Sequence, residues 1–428
     1  MGDPASDGKH FFLMSITPKS TPLAHAAMSQ FAVSHGELLI GGMPLSRLAA
    51  RVGQTPFYAY DRALLHERVQ SLRQALPAGV KLHYAMKANP MPAVVACMVG
   101  LVDGIDVASA GELKVALDAG CDPLEMSFAG PGKRDAELHQ AVAAGVLLNV
   151  ESAREIRPLA DASQALGLPA RVAVRVNPDF ELKGSGMKMS GGPKPFGVDA
   201  DQVPALLSDM AAAGLSFEGF HLYAGSQNLR AEAICEAQRQ SYELALRLGE
   251  HAPAPVQRLN LGGGLGIPYF PGEARLDLQT VADNVQALNE RAGRELPGAH
   301  LVLELGRYLV GEAGIYVCRV LDRKHSCGQV FLVTDGGLHQ HLAASGNFGQ
   351  VLRRNYPVAI GNRMGAPLSQ QATVVGPLCT PLDVLADRAA LPTAEIGDLV
   401  VIFQSGAYGA SASPQQFLGH PACVEVLV

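Results

Sequence analysis

The chain has 428 residues, 48% of them hydrophobic, and a formal net charge of −6. That length supports two domains, or one large domain with a smaller companion, and the mildly acidic balance argues against nucleic acid or an anionic membrane as the main partner. No apolar run approaches the roughly 20 residues that span a bilayer. The seven cysteines are odd in number and lack CxxC spacing, which argues against a disulfide framework or zinc site and points to a reducing cytoplasm.

In chain order, "MGDPASDGKHFFLMSITPKS" has no positive n-region feeding an apolar run, so residues 1–30 read as a loose extension rather than a secretory leader. The segment 31–57 follows, and its run "GELLIGG" (36–42) is a strand candidate expected to join a later β domain. From about residue 80 one unit recurs: a short apolar run, a Gly/Pro/Ser/Asn-rich turn and an amphipathic stretch. The runs are "LHYAM", "GIDVA", "MSFAG", "LLNV", "RVAVRVN", "GFHLYAG", "RLNLGG" and "LVLELG". Ser109 with Glu112, and Ser152 with Glu155, have the spacing of capping boxes at helix starts. Alternating strands and helices imply a parallel sheet, and eight repeats suggest closure into a (β/α)8 barrel over 58–308. A doubly wound open sheet is the structural rival. Beyond residue 310, "GIYVCRVLDRK", "QVFLVTDGG", "QATVVGPL", "LVVIFQSGAY" and "CVEVLV" are strand-like without intervening helices. Residues 309–428 are therefore expected to form a separate antiparallel β domain.

Barrel active sites lie at the carboxyl ends of the strands, and the polar residues there are informative. Lys87 ends the first run, within "HYAMKANP"; Asp106 lies in the second, and Arg175 and Asn177 in the fifth. His221, Tyr223 and Ser226 follow in the sixth, then Gly262, Gly263 and Gly264, then Glu304, Gly306 and Arg307. Together they describe a pocket for an anionic, electron-poor ligand. Each also has a plainer reading. Lys87 alone reads as a snorkelling lysine, the glycine triplet as a tight turn, Glu304 and Arg307 as an ordinary ion pair, and Cys379 as a small buried hydrophobe. "HQH" (339–341) has ligand-like spacing but no grouped partners, so no metal site is expected. The Gly- and Lys-rich loop 184–197 is either a solvated loop or a lid over the site.

The motifs "HYAMKANP", "DVASAGEL", "GSQN", "NLGGGLGIPY", "ELGRYLVGEAG", "GPLCTPLD" and "SGAYG" together resemble the fold-type III pyridoxal-phosphate decarboxylases, the diaminopimelate and ornithine decarboxylase group. The resemblance runs in order from about residue 37 to the C-terminus. In detail it is strongest to the branch associated with the exosortase A system. It implies an alanine racemase-like architecture, a (β/α)8 barrel followed by an antiparallel β domain, and a homodimer with active sites at the subunit interface. It also implies pyridoxal 5'-phosphate, carried covalently by Lys87, with Glu304 keeping the pyridine nitrogen protonated. Ser226, Gly263, Gly264, Gly306, Arg307 and Tyr408 match the phosphate-binding positions, and Asp106 an aspartate of the cofactor pocket. Cys379, delivered from the neighbouring subunit, matches the residue that protonates the product. Arg307, Thr380, Asp383 and Tyr408 match positions that face the substrate.

The departures concern the substrate end. Tyr223 stands where diaminopimelate enzymes place a histidine against the cofactor ring; it can stack there but carries no titrating charge near neutral pH. Thr380 replaces the family's acidic side chain for a distal ammonium, whose loss leaves that charge unpaired. No arginine follows "DGG" to hold a distal carboxylate. The expected activity is therefore decarboxylation of an α-amino acid or a derivative, diaminopimelate by overall resemblance. A substrate without a distal ammonium, such as an aminoacyl group on a carrier protein, is the sharper alternative and predicts an open entrance near Thr380 and the 184–197 loop. A racemase, a non-catalytic cofactor-binding homologue and a cofactor-free Schiff-base aldolase are the remaining readings.

Overall fold

The computed structural model of the chain describes residues 24–180, 187–188 and 191–428, with backbone alone at 187–188. Most of the expected N-terminal extension, and residues 184–186 and 189–190 of the expected lid, lie outside the described residues.

The eight apolar runs are the strands β1 (Lys81–Ala85), β2 (Gly104–Val107), β3 (Met126–Phe128), β4 (Leu147–Val150), β5 (Arg171–Asn177), β6 (Ser216–Leu222), β7 (Arg258–Asn260) and β8 (His300–Leu305). They read as near-continuous apolar runs because they are covered on both faces. Each pairs in parallel with its neighbours in sequence, and β8 pairs with β1. The sheet has closed into a barrel, and the open doubly wound alternative falls.

Local chemistry sets the helix starts. Asp61 accepts from the N–H groups of Ala63 and Leu64 at the head of the helix Arg62–Ala75. Leu65, Val69 and Leu72 recur along one face of that helix and are buried, each contributing about 2 kcal/mol. Ser109 caps Ala110–Asp118 by accepting from the Glu112 N–H at 3.1 Å, while the Glu112 carboxylate reaches back to the Ala108 N–H. The second expected box differs. Ser152 caps only a 3-10 turn, Ala153–Glu155, and Glu155 turns inward to a buried pair with Lys133 at 3.1 Å.

The C-terminal strands are β9 (Gly314–Ser326), β10 (Gln329–Thr334), β11 (Val358–Ile360), β12 (Gln370–Val375), β13 (Val384–Leu391), β14 (Leu399–Ile402) and β15 (Val424–Leu427). This sheet is mostly antiparallel rather than wholly so. β12 runs parallel to β10, because the chain returns through the long segment 335–369 instead of a hairpin. The strand Phe57–Tyr60 enters the same sheet, antiparallel to β9 and parallel to β15. "GELLIGG" does not join it by strand pairing: Glu37–Ile40 forms its own small sheet with Val33–Ser34 and Met43–Pro44. That sheet meets the β domain through the Leu38 N–H to the Gly361 carbonyl and a shared core of Leu38, Ile40, Phe57, Val317 and Val401.

Two glycines lock the domains together. A Cβ on Gly406 would lie 1.8 Å from the Val310 carbonyl oxygen, and one on Gly314 would lie 2.3 Å from the Gly406 Cα. In the same stretch the Gly406 carbonyl accepts from Asn89 Nδ2 at 3.0 Å, and the Tyr408 N–H donates to the Ala88 carbonyl at 2.7 Å. The β domain is thereby clamped onto the residues that flank Lys87. Gly406→Ala should cost about 3 kcal/mol by overpacking and lower Tm in thermal unfolding; an unchanged Tm would show that the clamp carries no load.

Candidate active site

Inward alternation along the strands brings a belt of polar side chains to one end of the barrel. The register places Glu304 beside His83, Ala85 beside Asp106, Asp106 beside Ser127, and His221 beside Arg175. Lys87 lies just past β1 on the 3-10 turn Met86–Ala88. The turn is held by the Asn89 N–H to the Met86 carbonyl, and by the Tyr84 hydroxyl donating to the Asn89 carbonyl. These side chains surround a cavity of about 120 Å³ lined by Lys87, Asp106, Arg175, His221, Tyr223 and Glu304 among others.

The cavity is an arrangement of buried, mutually compensating charges. Burial pulls the Lys87 ammonium down, but Glu304, with Tyr223 and Tyr408, outweighs it and lifts the pKa from 10.5 to about 12. Burial pushes the Glu304 carboxyl up, yet a hydrogen bond and charge from His221, with Lys87 and Arg175 behind, hold it well below the usual carboxylate range. His221 Nε2 lies 2.9 Å from Glu304 Oε2. Lys87 Nζ stands 5.5 Å from the centroid of the Tyr223 ring, and burial lifts the Tyr223 phenol to about 12 against the pull of Lys87. A second layer orients the first. Asp106 Oδ1 takes the Ser127 hydroxyl at 2.6 Å and lies 2.9 Å from His83 Nδ1; Asn149 donates in turn to Ser127 at 3.2 Å. Arg175 pairs with Glu151 at 3.0 Å and packs 5.1 Å from the Phe196 ring. Glu151 also accepts the Gly130 and Gly197 N–H groups, which ties the described end of the 184–197 loop to the cavity wall.

The other expected residues fall in three places. Arg307 does not pair with Glu304, so the plain ion-pair reading fails; its guanidinium donates to the Tyr269 hydroxyl at 3.0 Å and stacks 4.7 Å from the Tyr408 ring. Gly262 and Gly264 hold φ of +68° and +81°, and a Cβ on Gly263 would lie 2.1 Å from the Glu304 carbonyl oxygen. The loop therefore needs glycine to lie against β8. Gly306 likewise lets the chain pass Ala88, and Ser226 lies near enough to the Tyr223 phenol to pull its pKa down against burial. Cys379 and Thr380 do not line the Lys87 cavity; they lie between β12 and β13, with Cys379 exposed. Asp383 is buried, and its two oxygens accept the Leu338 and Leu378 N–H groups at 2.6 and 2.8 Å, so it shapes the loop that presents Cys379 and Thr380.

In the "HQH" stretch, Gln340 and His341 are bonded into the fold. His341 Nδ1 accepts the Ala344 N–H, which leaves Nε2 to donate to the Ser405 hydroxyl at 2.9 Å. Burial pushes His341 down to about 3 and, with His420, His339 to about 4. Among the described residues no three His, Cys, Asp or Glu side chains gather as a metal site. His221, Arg175 and His83 were visible in the sequence but not assigned roles. The usable signal was their place on the inward period of β6, β5 and β1.

Removing the Glu304 charge leaves burial as the main influence on Lys87. Glu304→Gln should lower the Lys87 pKa by about a unit or more, read as a shift to lower pH in the amine's reductive methylation, followed by mass spectrometry of the cofactor-free protein. An unchanged profile would show that Glu304 is not its counter-charge.

A buried amine, a carboxylate kept charged, and a guanidinium whose Nε is buried without a partner fit an aldehyde, a basic ring nitrogen and a phosphate. Asp106 Oδ2 and His221 Nδ1 are also buried and unpartnered, leaving polar capacity for a ligand. Residues 62–311 match the family model described as pyridoxal-dependent decarboxylase, pyridoxal binding domain. The L-glutamyl-[BtrI acyl-carrier protein] decarboxylase of Niallia circulans is 37% identical, with 87% of this chain and 89% of that protein covered. The diaminopimelate decarboxylase of Aquifex aeolicus is 33% identical, with 92% and 91% covered. The crystal structure of the Helicobacter pylori diaminopimelate decarboxylase complexed with L-lysine superposes with a TM-score of 0.78 at 27% identity, covering 90% and 94%. With this site and these relatives, the chain belongs to the pyridoxal-phosphate-dependent decarboxylases of fold type III.

Proposed function

We propose that this decarboxylase acts on an α-amino acid whose far end bears no ammonium, presented as an aminoacyl thioester on a carrier protein. The observation that carries the reading is the 37% identity, over 87% of the chain, to a decarboxylase whose named substrate is an L-glutamyl carrier protein. Thr380 supports it, since the loop held by Asp383 offers a hydroxyl engaged with the Leu382 N–H at 3.4 Å instead of a carboxylate. Diaminopimelate is the second reading, favoured by the Aquifex aeolicus relative. The resemblance to the exosortase A-associated branch leaves both substrates in play.

In this reading Lys87 holds pyridoxal phosphate through its amine. Glu304, kept charged and oriented by His221, holds the proton of the pyridine nitrogen. Arg307, Ser226, Gly263, Gly264, Gly306 and Tyr408 hold the phosphate, Asp106 borders the ring and Tyr223 packs on it. The bound cofactor supplies the electron sink that receives the electron pair of the departing carboxylate. Arg307 and Tyr408 also face the substrate, with Thr380 at its far end. Asp383 acts at one remove, by shaping that loop.

Cys379 returns the proton to the α-carbon across a homodimer interface. Its exposure, and its absence from the Lys87 cavity of its own chain, suit delivery into a second subunit. A reducing cytoplasm suits seven cysteines that are all unpaired; no described helix is long and apolar enough to cross a membrane.

The test is CO2 release from the L-glutamyl thioester of a carrier protein beside free glutamate and meso-diaminopimelate. Turnover of the thioester alone is expected, and turnover of diaminopimelate alone would overturn the reading. A yellow protein that releases CO2 from none of them would favour the non-catalytic homologue. Lys87→Ala and Cys379→Ala should each be inactive, and mixing them with subunit exchange should restore roughly a quarter of the activity through hybrid dimers. No recovery despite proven exchange would place both residues in one subunit's site.

A further inference from the structure

A second cavity, of about 640 Å³, opens on the far side of Arg307. Its volume suits a sizeable ligand, within the range of about 300–1,000 Å³ for small-molecule pockets, and exceeds what a free amino acid needs. Tyr269, Phe270 and Tyr356 form an aromatic wall, and Arg230, Arg307 and Arg354 line it. Among the described lining residues Glu273 is the one carboxylate, 3.6 Å from Arg354. In a chain of net charge −6 this is a local inversion of sign. Beside the arginines, Val351 and Leu352 are held in solvent at 98% and 78% exposure. Tyr408 connects this cavity to the chemistry. Its ring lies 4.7 Å from the Arg307 guanidinium and 6.3 Å from the Phe348 ring, and its N–H is bonded to Ala88, next to Lys87.

We propose that this cavity receives the phosphopantetheine arm of the carrier protein, an inference that rests on the carrier-bound reading. The arm has an anionic phosphodiester at its outer end, methylenes and amides along its length, and the thioester at its inner end. The cavity presents all three environments: the exposed Arg230 and Arg354, the aromatic wall, and the Arg307–Tyr408 boundary with the Lys87 site. Val351 and Leu352 pack on the apolar face of the carrier, and the two rim arginines meet its acidic surface. No bond forms or breaks in this cavity; it positions the thioester for the chemistry next door.

The experiment compares the L-glutamyl thioester of a carrier protein with the same thioester of free pantetheine, using wild-type holoenzyme and the variants Arg230→Glu, Arg354→Glu and Val351→Asp. Val351 is almost fully exposed, so that variant tests the surface without disturbing the fold. Each change should lower kcat/KM for the carrier-bound thioester roughly tenfold, mainly through KM. The pantetheine thioester should change by less than about threefold, and the arginine effects should shrink as salt rises. Wild-type turnover of the carrier substrate with all three variants unaffected would overturn this docking site while leaving the carrier reading intact. A wild-type enzyme that ignores the carrier thioester but decarboxylates a free amino acid would overturn both.

Discussion

A lysine and a glutamate buried in one small cavity impose the constraint on which the rest of the site depends. Either charge alone would be expelled from the barrel or neutralised, since an unpaired buried charge costs several kcal/mol. Together, with His221 bonded to the carboxylate, both stay ionised. The barrel end is built around that balance. Arg175 faces the same cavity but is drawn off by Glu151, which is itself held by two backbone N–H groups. Asp106 is occupied on one oxygen by His83 and Ser127. These pairings keep several charges close without collapsing onto Lys87.

The β domain completes the site at close quarters. Gly406 and Gly314 allow backbone to touch backbone, and Asn89 and Tyr408 stitch that contact to the turn carrying Lys87. Tyr408 itself holds φ of +54°, a conformation a bulky residue keeps only where surrounding contacts over-determine it. The result is a shared boundary, Arg307 against Tyr408, where a small polar chamber meets a larger cationic one.

Much of this was legible because a barrel strand reports itself twice: by an apolar run and by a polar residue at its carboxyl end. Lys87, Asp106, Tyr223 and Glu304 were picked out that way, and they line one cavity. Arg307 was read with Glu304 from their three-residue spacing, yet its guanidinium turns to Tyr269 and Tyr408 instead; spacing along a chain does not say which way a side chain turns. Asp383 was read as facing substrate because it sits in the right motif. Only the fold shows both its oxygens taken by backbone N–H groups. "GELLIGG" read correctly as a strand, but not its partner, since an apolar strand carries no label for the edge it will join.

By itself the sequence determined the alternation of strand and helix, the closure into eight, the lysine at the end of the first strand and the resemblance to a decarboxylase family. The first three follow from periodicity and turn residues, the last from motifs in a fixed order. Tertiary structure decided which charges neutralise one another, which glycines lock the domains and where a second cavity opens. Those outcomes depend on distances between residues far apart in the chain, and such distances exist only once the barrel has closed and the β domain has docked on it.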